Sequence, residues 1–107
     1  MQDGHYRRRN AWWGYVKTII RSYNKRKNLE LNGNERRETE AVRNAIAKTE
    51  TMLNGTYRIA LVELVFWKQT HTIQGAAMVL HLSERTAQRY HSDFIKEVAR
   101  QFGLIDE

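Results

Sequence analysis

The stretch from Thr72 to His91 leaves few folds open to this chain. It reads Thr-Ile-Gln-Gly-Ala-Ala-Met-Val-Leu-His-Leu-Ser-Glu-Arg-Thr-Ala-Gln-Arg-Tyr-His. Two short helices that cross at a steep angle need a small residue where they touch, and Ala77 falls there. Ala76, Leu80, Leu82, Ala87 and Tyr90 fall where side chains point into the wedge. Ser83 can accept a hydrogen bond from an amide two or three residues on, which starts the second helix after a tight turn. The spacing predicts a helix-turn-helix. One position departs from the pattern. The turn residue needs positive φ and is commonly Gly, whereas this chain has His81. His is among the side chains tolerated in the left-handed region.

If the second helix starts at Ser83, then Glu84, Arg85, Gln88 and Arg89 face away from the wedge. Arg and Gln side chains pair bidentately with purine edges in the major groove. These four residues are the candidate base readers, with Glu84 screening against wrong bases. Thr72, Gln74, Ser83 and Thr86 lie near the starts of the two helices, where amides point toward an anion. Together with Lys68 they are the candidate phosphate contacts. The same pattern also suits an ordinary helical hairpin, in which Arg85 and Arg89 are plain solvated charges.

Nothing in the remainder favours strands. The chain has 107 residues, no Pro, no Cys and 6 Gly. A single all-α domain of about five helices follows, with a modest core. The lack of Cys excludes disulfides and thiolate metal sites. The apolar run Ile59 to Trp67 is interrupted by Glu63 and is too short to span a bilayer. Arg7, Arg8 and Arg9 precede no apolar segment of the signal-peptide kind. No membrane role is expected.

The net charge of +6 is unevenly placed. Residues 1–30 hold eight Lys or Arg against two acids, whereas residues 31–56 and 57–107 are each neutral. Residues 1–9 read as a basic flexible arm carrying Arg7, Arg8 and Arg9. Residues 10–56 read as an N-terminal helical part. Its first helix runs from Asn10 to about Tyr23, with Trp12, Val16, Ile19, Ile20 and Tyr23 on one face. A basic loop holding Lys25, Arg26 and Lys27 follows. The second helix is capped by Asn34 and runs to about Leu53, with Val42, Ala45, Ile46, Thr49 and Leu53 as its stripe. Asn54-Gly55 is a stop signal. Residues 57–107 form the helix-turn-helix part. They begin with an apolar central helix from Tyr57 to Thr70, which buries Leu61, Leu64 and Val65. The final helix carries Ala87, Tyr90, Phe94, Val98 and Phe102 as one stripe and ends at Gly103. Sequence-independent phosphate attraction would come from the arm and the loop.

Catalytic signatures are missing. The four His residues form no His-x-x-x-His pair, and there is no Gly-rich phosphate loop and no Gly-x-Ser-x-Gly elbow. No metal, cofactor or enzymatic activity is expected.

The run Leu61-Val62-Glu63-Leu64-Val65-Phe66-Trp67-Lys68 is followed by Thr72-Ile73, Ala76-Ala77, Leu80, Leu82-Ser83, Thr86 and Arg89-Tyr90. This arrangement resembles the sigma-factor region-four type of helix-turn-helix. It is similar in particular to phage-encoded late-gene transcriptional regulators of the RinA and ArpU type. The resemblance covers about residues 57–103. It implies a regulator of transcription that binds promoter DNA beside RNA polymerase, in the cytoplasm of a bacterial host cell.

The leading expectation is therefore sequence-specific binding of double-stranded DNA for transcriptional control. One alternative is a small terminase subunit that recognises viral DNA for packaging, which a ring-like homo-oligomer would favour. Another is a helical adaptor that binds only protein.

Overall fold

A computed structural model describes the backbone of residues 3–105 and the side chains of residues 11–105. All regular structure among them is helical. The elements are α1 (Asp3–Arg26), α2 (Gly33–Glu50), α3 (Gly55–Val62), α4 (Ile73–Leu80) and α5 (Glu84–Phe102). A π-helical stretch, Glu63–Trp67, prolongs α3. The expected all-α architecture of five helices holds.

Several boundaries differ from those expected. Helix α1 begins at Asp3 rather than Asn10 and ends at Arg26 rather than Tyr23. The segment expected as a flexible arm thus continues the helix, and no Pro interrupts it. The side chains of Arg7, Arg8 and Arg9 lie outside the described residues. Lys25 and Arg26 belong to the last turn of α1, where cations favour the negative end of the helix. Of the expected basic loop residues, only Lys27 lies beyond the helix.

Helix α2 is preceded by Asn32, not capped by Asn34. The Asn34 side chain instead accepts a 3.3 Å hydrogen bond from Arg37 Nη1. The helix ends at Glu50, short of Leu53, and the Thr51 hydroxyl donates back to the Lys48 carbonyl at 2.7 Å. Leu53 is therefore 84% exposed and is not part of the stripe. Asn54 takes the left-handed conformation at φ 62°, and Gly55 opens α3 instead of only closing α2. A Cβ on Gly55 would lie 2.6 Å from the Glu50 carbonyl oxygen and 2.7 Å from that of Thr49. The end of α2 and the start of α3 abut so closely that only glycine fits.

The expected helix from Tyr57 to Thr70 is shorter and changes pitch. The Lys68 amide donates to the Glu63 carbonyl at 2.8 Å, a five-residue step. Gln69 then turns left-handed at φ 55°, and the Thr70 amide closes onto the Leu64 carbonyl at 3.2 Å. Leu61, Val62 and Phe66 are buried, whereas Leu64 and Val65 are only half-buried, contrary to expectation. The wider turn rotates the apolar positions, so that one face no longer carries all of them inward.

The interior has two clusters. The larger joins Val16, Ile19 and Ile20 of α1 with Ala41, Val42 and Ala45 of α2, with Val62 and Phe66, and with Phe94, Ile95, Val98 and Ala99 of α5. The smaller joins Leu61 of α3 with Ala76 and Ala77 of α4 and with Ala87 and Tyr90 of α5. Leu64, Ile73, Leu80 and Leu82 close its edge, and Val65 packs against both clusters.

Leu61→Ala should cost about 2–5 kcal/mol in chemical denaturation, because the fully buried site leaves a cavity. Leu53→Ala should stay within about 0.5 kcal/mol. Equal losses at the two positions would refute this assignment of core and surface. Gly55→Ala should destabilise by about 1–3 kcal/mol through overpacking against the α2 carbonyls, and a neutral result would show that the helices can separate there.

Candidate nucleic-acid interface

The start of α5 is built by local chemistry. The Thr72 hydroxyl accepts from the Gly75 amide at 3.0 Å and starts α4. His81 takes φ 59° and ψ 41°, and the Leu82 amide closes onto the Ala77 carbonyl at 2.9 Å. The Ser83 hydroxyl accepts from the Thr86 amide at 3.1 Å and donates to the Thr86 hydroxyl at 2.9 Å. The cap role of Ser83 and the left-handed turn at His81 match the expected chemistry, and Thr72 caps α4 in the same way. Ala77 and Ala87 are buried where α4 meets α5.

This geometry brings Glu84, Arg85, Gln88 and Arg89 onto the first turns of α5, all exposed. Arg85 and Arg89 have no acidic partner among the described residues. Gln74 Nε2 donates to Glu84 Oε1 at 3.4 Å across the turn, linking a residue expected at phosphate to one expected at bases. Lys68 is exposed just beyond the π-helical stretch. The hydroxyl oxygens of Thr72 and Ser83 are already engaged as caps of α4 and α5.

The expected basic loop is only partly available. Arg26 Nη1 lies 2.8 Å from Glu38 Oε1, and its Nη2 lies 3.6 Å from Glu35 Oε2. Two carboxylates therefore occupy this guanidinium. Lys25 and Lys27 remain exposed. The Lys27 carbonyl accepts from Arg43 Nη2 at 3.2 Å. The Tyr15 hydroxyl donates to Glu38, and partial burial together with that bond raises the phenol to about 12.

Three cationic residues went unnoticed in the sequence. Lys17 and Arg21 lie one turn apart on α1, and Lys96 continues the outward line of Arg85 and Arg89 on α5. Their four- and seven-residue spacing was the available signal. None has an acidic partner among the described residues. By contrast, Lys48 and Arg100 lie 3.7 and 3.6 Å from the buried Glu97 carboxylate. Arg58 lies 3.1 Å from Asp93 and stacks over the Tyr90 ring. The acids of α5 beyond its first turn are thus paired with other cations, while Arg85, Arg89 and Lys96 keep no acid partner among the described residues.

His91 lies between these regions. Its ring stacks on Phe66 at 5.1 Å with an interplanar angle of 3°. Burial, reinforced by the charges of Lys17 and Arg21, pushes its imidazole down to about 4. It is neutral near pH 7.

Among the described residues, no group of three or more His, Cys, Asp or Glu is placed to hold a metal ion. No helix among them is long and apolar enough to cross a membrane. Compared with protein-family models, curated proteins and solved structures, the chain matches none of them.

The native state binds fewer protons at His91 than the unfolded chain between pH about 4 and 6.5. The stability due to neutral His91 is therefore complete above that window and is lost as pH falls through it. His91→Phe should flatten this part of the decline in melting temperature. An identical pH profile in the variant would show that the imidazole is solvated.

Proposed function

We propose that this chain is a sequence-specific DNA-binding protein that regulates transcription and has no catalytic role. Helices α4 and α5 act as a helix-turn-helix of the sigma region-four kind, with the start of α5 in the major groove. The observation that carries this function is the exposed trio Arg85, Gln88 and Arg89, which has no ion-pair or hydrogen-bond partner among the described residues. It stands on a helix start made rigid by the Ser83 cap and the buried Ala77–Ala87 contact. Bidentate side chains on a rigid element suit base edges, because little is lost in ordering them. Glu84, tied to Gln74, disfavours bases that present an acceptor beside it. The N-terminal amides of α4 and α5 and Lys68 face phosphate, and Lys25 and Lys27 add sequence-independent attraction. Arg7, Arg8 and Arg9 extend that attraction along α1. Promoter binding beside RNA polymerase, as in phage late-gene control in a bacterial cytoplasm, fits the sequence resemblance.

One observation favours a second reading, in which the chain is a protein-binding adaptor. Met78 is 75% exposed and Val79 52% exposed on α4. Such side chains suit a protein contact. In the DNA-binding reading, this face meets polymerase or another copy in a packaging-type ring.

Selection of bound sequences from a random duplex pool tests the proposal. A defined motif is the expected result. Arg89→Ala should then lose about 1–3 kcal/mol of discrimination at one base position, while random-duplex affinity changes little. A uniform loss on all sequences would make Arg89 a phosphate contact. No duplex binding at low salt would favour the adaptor.

A further inference from the structure

We infer that Lys17 and Arg21 of α1 grip the phosphates on the groove rim beside α5, an inference that rests on the DNA-binding function proposed above.

The two cations lie four residues apart on α1, hence on one face, with Arg21 exposed and Lys17 half-buried. The buried residues Val16, Ile19 and Ile20 on the adjoining face hold α1 against Phe94, Ile95 and Val98 of α5. Trp67 fixes α1 in place. Its indole N–H donates to the Ile20 carbonyl at 2.8 Å, and its ring lies 5.7 Å from Tyr23 and 6.5 Å from Phe94. The cations therefore stand on a helix that cannot drift away from α5.

Helix α1 meets α5 at Phe94, Ile95 and Val98, the turns that follow the base-reading ones, and both charges also bear on His91, which lies between the two stretches. His91 follows Arg89 by two residues and Gln88 by three, a rise of about 3–5 Å along the helix. Lys17 and Arg21 thus stand on the helix that packs against α5 just past the base-reading turns. Packed helix axes lie about 8–10 Å apart, and the major groove is about 12 Å wide. With α5 in the groove, a helix packed beside it reaches the rim and not the base edges. The rim offers phosphate, for which an unpaired Lys and Arg are suited.

The lack of acid partners supports the same conclusion. Glu35 and Glu38 pair with Arg26, Glu40 with Arg36, Asp93 with Arg58, and Glu97 with Lys48 and Arg100. None of these carboxylates is placed against Lys17 or Arg21. Two like charges one turn apart, with no acid paired to either among the described residues, repel in the free protein. That repulsion is relieved when a polyanion covers them.

The full-length double variant K17Q/R21Q tests this with two readouts. On a random-sequence duplex, each lost phosphate contact lowers the slope of log affinity against log salt by about 0.9, so the pair should lower it by about 1.8. The sequence preference of the variant should be unchanged, and K17R/R21K should keep the original slope. In the absence of DNA, the His91 imidazole, followed by NMR titration, should move upward in the glutamine variant. Circular dichroism and cooperative melting check the fold, and should the pair misfold, K17Q and R21Q singly should each show half the slope change. An unchanged slope, in a protein whose Arg89→Ala variant still loses base discrimination, overturns the role of α1 and leaves the proposed function standing. An unmoved His91 titration overturns it on geometry. Failure of the unmutated chain to bind any duplex overturns both.

Discussion

Helix α5 is the constraint on which the rest depends. Its first turns close the smaller cluster through Ala87 and Tyr90, and its middle and end close the larger one through Phe94, Ile95 and Val98. Because one rigid helix serves both, the exposed residues at its start are held by both clusters. The α3 chain supplies the other half of this junction. Leu61 enters the smaller cluster and Val62 and Phe66 the larger. A regular α-helix sends residues three and four apart to one face. The π-helical stretch after Val62 alters that phase, so that Phe66 and Trp67 both reach inward toward α1 and α5.

Polar chemistry is divided between pairs that hold the fold and cations left without an acid among the described residues. The buried Glu97 carboxylate receives Gln101 Nε2 at 2.7 Å besides its two cations, which offsets its desolvation. Tyr90, a wedge residue, also accepts from Asn54 Nδ2 at 3.2 Å and lies under Arg58. The turn after α2 is thereby tied to α5. These contacts hold the side of α5 that faces α2 and α3. Arg85, Arg89 and Lys96 of α5, and Lys17 and Arg21 of α1, have no counter-charge among the described residues. The neutral charge of residues 57–107 hides this, because Asp93 and Glu97 are already paired with Arg58, Lys48 and Arg100.

Local signals in the chain were sufficient for much of this. Thr72 and Ser83 have short hydroxyl side chains ahead of apolar periodic runs, and a cap needs nothing beyond its own helix. The left-handed His81 follows from the closeness of two helices in a three-residue connection. The stripe Ala87, Tyr90, Phe94, Val98 has helical period, and Gly103 ends it at φ 91°. The all-helical class, the order of the five helices and the exposed set Glu84, Arg85, Gln88 and Arg89 were therefore determined by the sequence alone.

Tertiary structure decided what local signals could not. Leu53 fits the period of α2 but lies beyond its last turn, because Gly55 brings the next helix against the carbonyls of Thr49 and Glu50. Arg26 reads like its neighbours Lys25 and Lys27, yet Glu35 and Glu38 on α2 neutralise it across a helix contact. The π-helical stretch has no mark in its residues, since its pitch answers to what Phe66 and Trp67 touch. Lys17 and Arg21 stand on a helix that packing brings against α5, and His91 is neutral because of what buries it. Caps, turns and periods arise from interactions within a few residues and are written in order along the chain. Ion pairing, pitch and the company a charge keeps depend on residues remote in sequence, and only packing brings those together.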